Sequence, residues 1–218
     1  MFRTTPGTPA PHLPIKTAAR YLGVSATPIR KGLASGVIPN LSLATVETLS
    51  RRDVLHEVDS VTGAPVPVLR LTPWQSETQD DAGAPPRMGI GYQHCMLDVD
   101  FLSSCDRWWP TSGRDQVLAA QAVLVAIGSI IVGWIDIDIN KKIGVDSSGR
   151  LHYPGHIVAR LDDVLGRSVR SVNTSSPNAA IAQTVMGLRV LGGGGGSITR
   201  LDPSAGLSAD ADTEEGDE

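Results

Sequence analysis

The spacing of apolar positions changes along the chain, and each change marks a different kind of element. Over residues 15–34, Ala18, Ala19 and Leu22 recur at helical spacing, Gly23 can take positive φ, and Ile29 and Leu33 recur at i, i+4. This pattern predicts a short helix, a tight turn plugged by Val24, and a second helix ended by Gly36. Ser25 and Thr27 can each cap the second helix. Pro28 fits best at the first helical position, where no amide hydrogen is needed, and that favours Thr27 as the cap. Residues 37–39 and 46–49 are short enough for a small hairpin, and Ser50 followed by Asp53 reads as the start of a third helix over 51–55.

Beyond residue 57 the rhythm shortens. Residues 66–71 read as an edge strand, because Pro65 and Pro67 cannot donate to a ladder. Residues 74–87 are polar and contain Gly and Pro, which predicts a loop or junction. Leu97, Phe101, Leu102 and Cys105 recur at helical spacing within 95–109, closed by Trp108, Trp109 and Pro110, with the paired tryptophans read as core anchors. Residues 117–135 carry no charge over 19 positions, long enough for a membrane span. Gln121, Gly128, Ser129 and Gly133 and the density of Val and Ile favour a hairpin instead, with Gly128-Ser129 as a type II′ turn between 123–127 and 130–139. Short strands are expected at 151–153 and 168–172. A helix is expected over 156–165, with Ile157, Val158, Leu161 and Leu165 inward and Gly166 past its end; a loop then covers 173–178 and an apolar stretch 179–191.

Charge is sorted along the chain, although the formal net is only −4. Residues 1–57 hold seven basic side chains against three acids, whereas 202–218 hold seven acids and no base, so a basic front faces an acidic tail expected to be disordered. That tail reads either as a solubilising end or as an internal competitor for the basic front. A local excess of four allows only a few phosphate contacts per subunit, so useful affinity for nucleic acid requires a homodimer, a second protein or tandem sites. Cys95 and Cys105 make no disulfide framework, and residues 1–14, rich in Thr and Pro, lack the apolar core of a secretory signal; a cytoplasmic protein with reduced thiols is expected.

With these residues in view, 15–56 resembles the excisionase and MerR-type winged helix-turn-helix family. The likeness is carried by Ala18-Ala19, Leu22-Gly23-Val24-Ser25, Arg30-Lys31, Ser35-Gly36-Val37-Ile38-Pro39 and Ser50-Arg51-Arg52-Asp53-Val54-Leu55, about a fifth of the chain. The resemblance implies that the second helix enters the major groove of double-stranded DNA with Ser25, Ala26, Thr27, Arg30 and Lys31 nearest the bases and phosphates. Arg30 is then the base reader, since a guanidinium can bond two acceptors on guanine, while Lys16, Lys31, Arg51 and Arg52 contact phosphate. Residues 39–45 carry no basic side chain where the family's wing has Arg or Lys.

Catalytic patterns are sparse. His152 and His156 stand four apart near Asp136, Asp138, Asp162 and Asp163, but Pro154-Gly155 breaks any helix that would align them, so solvated or hydrogen-bonded histidines are favoured over a metal or acid–base site. The run 192–196 lacks the Lys and helix start of a phosphate cradle and reads as a flexible connector or a glycine bend between strands. The sequence therefore predicts an α+β protein: a flexible 1–14, a winged helix-turn-helix at 15–57, a strand and linker region at 58–90, a mixed, mostly β domain at 91–200 that could form a small barrel, and a disordered tail at 201–218. The expected role is non-enzymatic, cofactor-free regulation of transcription or of phage recombination through DNA, with the second domain dimerising or binding a partner or ligand and no membrane involved. A structural or assembly protein that docks other proteins through the same helices is the alternative from another class, and a small enzyme around Trp108, Asp136 and His152 a third.

Overall fold

The computed structural model describes residues 11–76, 89–105, 107–191 and 198–201. The expectations for residues 1–10, for most of the 74–87 loop, for the glycine run and for the acidic tail lie outside them. Helices α1 (Ile15–Tyr21), α2 (Ala26–Ala34) and α3 (Leu43–Ser50) come first. They lead into β1 (Val68–Leu71), then a two-stranded ribbon of β2 (Gln75–Ser76) and β3 (Gly89–Ile90). Helix α4 (Asp98–Cys105), β4 (Arg107–Trp109) and α5 (Arg114–Ala120) precede the long pair β5 (Ala122–Ile127) and β6 (Ile130–Ile137). The chain continues through β7 (Gly144–Val145), β8 (Leu151–His152), β9 (Gly155–Asp163), β10 (Ser168–Ser171), α6 (Ala179–Val185) and β11 (Ile198–Thr199).

Six strands form one open sheet in the order β10-β9-β6-β5-β1-β11, and β4, β8 and β7 make a small second sheet. The architecture is α+β with a mostly β body, and the sheet does not close into the barrel that the strand rhythm suggested. Strand β1 is not an edge: it runs parallel to β5, with Val68 opposite Leu124, and β11 lies on its other side. Pro65 and Pro67 precede the strand and so remove no ladder bond from it.

The uncharged run resolves into helix and hairpin. Val117 and Ala120 are buried on α5, and Gln121 turns the chain in the left-handed region at φ 51°. Every residue of β5 and β6 is buried. Gly128 has φ 61° while Ser129 does not take positive φ, as a type II′ turn requires. Among the described residues no helix is long and apolar enough to cross a membrane.

The two faces of β6 show why its run is continuous. The ring of Phe101 on α4 occupies the space a Cβ on Gly133 would need, its Cζ 2.4 Å away. Trp134 and Asp136 share the opposite face, where the indole Nε1–H donates to the carboxylate at 2.9 Å near the start of α6. A strand covered on both sides has no wet face, so the alternation of apolar and acidic residues from Trp134 to Ile139, which suggests a solvent-facing side, does not make one at the buried Asp136. The same cause overturns the helix expected over 156–165. That segment is strand β9, hydrogen-bonded to β6 on one side and β10 on the other, with 157–161 wholly buried, Arg160 included. Arg160 lies 4.6 Å from the centre of the Phe101 ring and donates to Asp98 Oδ1, which keeps its charge paired under α4. In the helix predicted over 95–109, Phe101 and Cys105 do face inward, but Leu97 precedes α4 and is 68% exposed, and 107–109 is strand β4. Trp109 packs against the core and donates its indole N–H to the Cys105 carbonyl.

Candidate nucleic-acid interface

Helices α1 and α2 meet as the sequence requires. Gly23 takes φ 58°, the Val24 amide donates back to the Ala19 carbonyl at 3.0 Å, and Ala18, Leu22 and Ile29 are buried together. Ser25, rather than Thr27, is the N-cap of α2, with extended φ and ψ and a hydroxyl that makes no capping bond. Pro28 therefore stands third in the helix, a place it tolerates because amides of the first turn have no intrahelical partner. At the other end Gly36 has φ 76°, and Gly32 lets Ile38 return close against the helix, where a Cβ would meet Ile38 Cδ1 at 2.6 Å.

The expected wing is absent. Residues 46–49 are helical, not a strand, because Ser42 accepts a bond from the Thr45 amide at 3.2 Å and starts α3, whose Thr45, Val46 and Leu49 turn inward at helical spacing. Asn40 Oδ1 braces the same start, accepting from the Ser42 amide and the Thr45 hydroxyl. Ser50 is consequently the last residue of α3 and not the cap of a helix over 51–55. The sequence signal for this lay in Ser42, a cap residue directly before Leu43, Val46 and Leu49 at helical spacing.

The side chains expected to touch DNA divide into two groups. Lys16, Ser25, Thr27 and Arg30 are exposed, while Ala26 and Lys31 are half-buried at the margin of the same surface. On α2 the covered side is that of Ile29 and Gly32, and the β5–β6 turn presses against it: a Cβ on Gly128 would stand 2.5 Å from the Pro28 carbonyl oxygen. Helical rotation then places Thr27, Arg30 and Ala34 outward, with Arg30 in no ion pair among the described residues. Lys16 and the exposed Arg20, four apart on α1, add two further cations to this end of the molecule.

Arg51 and Arg52 behave differently from each other. Arg51 is exposed and lies 3.9 Å from Glu47, a loose pair that phosphate can displace. Arg52 reaches the turn after β9, donating to the Val164 and Leu165 carbonyls at 2.5 and 3.0 Å. Burial, and then neighbouring Arg167, lowers its pKa. Its guanidinium is committed to holding the helices on the sheet, which removes it from the expected phosphate contacts.

Sequence reading passed over Arg189, the residue that fixes the helical unit in place. It is 6% exposed and donates to the Leu22 carbonyl at the end of α1 and to the Ser50 carbonyl at the end of α3, 3.3 Å away. Both helix ends carry partial negative charge, so the cation is placed where two of them converge. Burial lowers its pKa. Its backbone also bridges the two parts, since the Leu55 amide donates to the Arg189 carbonyl and the Arg189 amide to the Asp53 carbonyl. An isolated arginine near the C-terminus gives no local hint of this, because both carbonyls belong to residues more than a hundred positions earlier.

Of the acid–base candidates, β6 and β9 bring Asp136 opposite His156, with Nε2 3.7 Å from Oδ2. His152 is on β8 in the small sheet, and Asp162 and Asp163 are exposed at the far end of β9. Among the described residues no group of three or more His, Cys, Asp or Glu side chains could hold a metal ion, and Cys95 and Cys105 are not joined in a disulfide. Compared with known proteins, the chain matches no family model, no curated protein and no solved structure.

Proposed function

We propose that the protein binds double-stranded DNA in a sequence-dependent way through α2, as a regulator of transcription or an excisionase-like recombination factor. The observation that carries this reading is Arg30, exposed and without an ion pair among the described residues, on the outward side of a helix whose other side is clamped to the body of the fold. A recognition helix needs such backing, because a guanidinium reads guanine only when its approach is fixed. Ser25 supports it too: its hydroxyl is not spent on capping, so it and the Ala26 and Thr27 amides are available to a phosphate. Lys16, Lys31 and Arg51 complete the positioning contacts. With so few cations and no wing, one copy binds weakly, and two copies on half-sites about one duplex turn apart supply the affinity.

The test is selection of duplexes from a random pool by the full chain, followed by anisotropy titration of the enriched sequence. Arg30→Ala is expected to weaken binding to that sequence by roughly tenfold or more, the worth of one bidentate base contact. Arg51→Ala should weaken all sequences alike, and the log–log salt slope should be roughly −3 to −4 per copy, for three or four phosphates neutralised. Enrichment of no sequence, or salt-independent association with a protein instead, would refute the proposal; the latter would favour the docking role.

A further inference from the structure

A cavity of about 200 Å³ opens beside Asp136, on the face of β6 that packs toward α6 and away from α4. Its floor is Asp136, the most buried acidic residue among the described ones, at 7% exposure. Three donors hold that carboxylate in place. Oδ1 accepts from Trp134 Nε1 and Asn178 Nδ2, both at 2.9 Å, and Oδ2 accepts from the Ser176 hydroxyl at 2.5 Å. A carboxylate offers about four acceptor lobes. The fourth, on Oδ2, has no donor among the described residues, since His156 Nε2 at 3.7 Å is out of hydrogen-bond reach.

The rest of the wall indicates what would fill that lobe. Asp138 adds a second carboxylate, partly exposed, whose ion-pair partner among the described residues is Lys141 at 3.5 Å, and the lining includes His156 but no Lys or Arg. Val61, Ile137 and Pro177 supply apolar surface between the polar groups. An anionic floor with apolar walls suits an organic cation: its N–H replaces the water a buried carboxylate would otherwise need, and its carbon chain lies on the isoleucine and valine. The volume equals roughly seven waters of bulk liquid, room for a compound of similar heavy-atom count.

We infer that the Asp136 cavity binds a small primary ammonium or guanidinium compound, with one N–H donating to the open lobe of Asp136 Oδ2. This does not depend on DNA binding, and neither does its test. The Trp134 indole N–H donates to the same carboxylate, so its ¹H–¹⁵N resonance reports on the site in the intact protein. Titration with methylguanidinium or n-butylammonium is expected to shift it saturably, while the neutral counterparts N-methylurea and n-butanol leave it in place. Asp138→Asn, at a partly exposed position just past β6, should raise the apparent Kd about threefold for the loss of a nearby partly solvated charge. Asp136→Asn should abolish saturation, and a folded spectrum qualifies that result because three side chains rest on this carboxylate. Equal shifts from charged and neutral probes, no saturable shift up to roughly 50 mM probe, or Mg²⁺ or Zn²⁺ acting where the organic cations do not, would each overturn the inference.

Discussion

Replacing Arg189 with methionine tests whether the helical unit and the sheet unfold as one body. The guanidinium donates to the carbonyls that end α1 and α3 and is 6% exposed. Each bond from a charged donor contributes about 1.5–3 kcal/mol, and the convergence of two negative helix ends adds about 0.3–1 kcal/mol. Against this stands the dehydration of a buried cation whose Nε finds no partner among the described residues, which methionine relieves while keeping most of the volume. The 3.3 Å bond to Ser50 belongs at the low end of its range. The balance is a loss of about 2–4 kcal/mol for Arg189→Met, with Arg189→Lys intermediate because one ammonium can serve one carbonyl well but not two. Urea denaturation followed by tryptophan fluorescence and by far-ultraviolet circular dichroism measures it. In the native protein the two signals should coincide; in Arg189→Met the midpoint should fall, with the helical signal lost first. A variant within about 0.5 kcal/mol of the native protein would mean that the backbone pairing of 53–55 with 189 anchors the helices by itself and that the side chain contributes nothing.

Other positions yield sharper single outcomes. Gly128→Ala combines a left-handed φ with a Cβ 2.5 Å from the Pro28 carbonyl oxygen, and thermal melting should show a loss of about 2–4 kcal/mol; a loss below about 1 kcal/mol would mean that α2 is not seated on this turn. Ser42→Ala removes the cap of α3 and should cost about 0.5–2 kcal/mol by urea titration, whereas no change would argue against a helix start there. Burial pushes the Tyr92 phenol up to about 12 from its ordinary value near 10. The folded state therefore holds that proton longer than the unfolded chain, and the contribution of Tyr92 is intact below pH 10 and declines by about 2–3 kcal/mol as pH rises toward 12. The stability difference between the native protein and Tyr92→Phe should shrink or reverse over that window, and a constant difference would show that the phenol is not buried as described.

The local signals that the chain carries in full were the ones that could be read directly. Gly23 and Gly36 mark turns because positive φ costs glycine nothing, and Ala18, Leu22 and Ile29 show a helical apolar side within a dozen residues. The β5–β6 hairpin was equally legible, since Gly128-Ser129 stands between two runs too long and too β-branched to be loop. In the candidate interface, Lys16, Ser25, Thr27 and Arg30 were singled out by the family resemblance and are exposed, whereas Lys31, expected to point outward beside Arg30, is half-buried.

Tertiary structure decided whatever depended on a partner distant in the chain. Ile157, Val158 and Leu161 suit a buried helix as well as a strand, and only β6 and β10 on either side make them a strand. Arg51 and Arg52 are indistinguishable as neighbours in sequence, yet one faces solvent and the other is bound to carbonyls more than a hundred residues away. The wing failed for a mixed reason: Asn40 and Ser42 start the helix over 46–49 through local bonds, and burial of Val46 and Leu49 in the core then holds it there. Sequence determines the conformations whose energies are settled within a few residues; burial on both faces of a strand and the pairing of a buried cation are set by contacts that exist only after the chain has closed on itself.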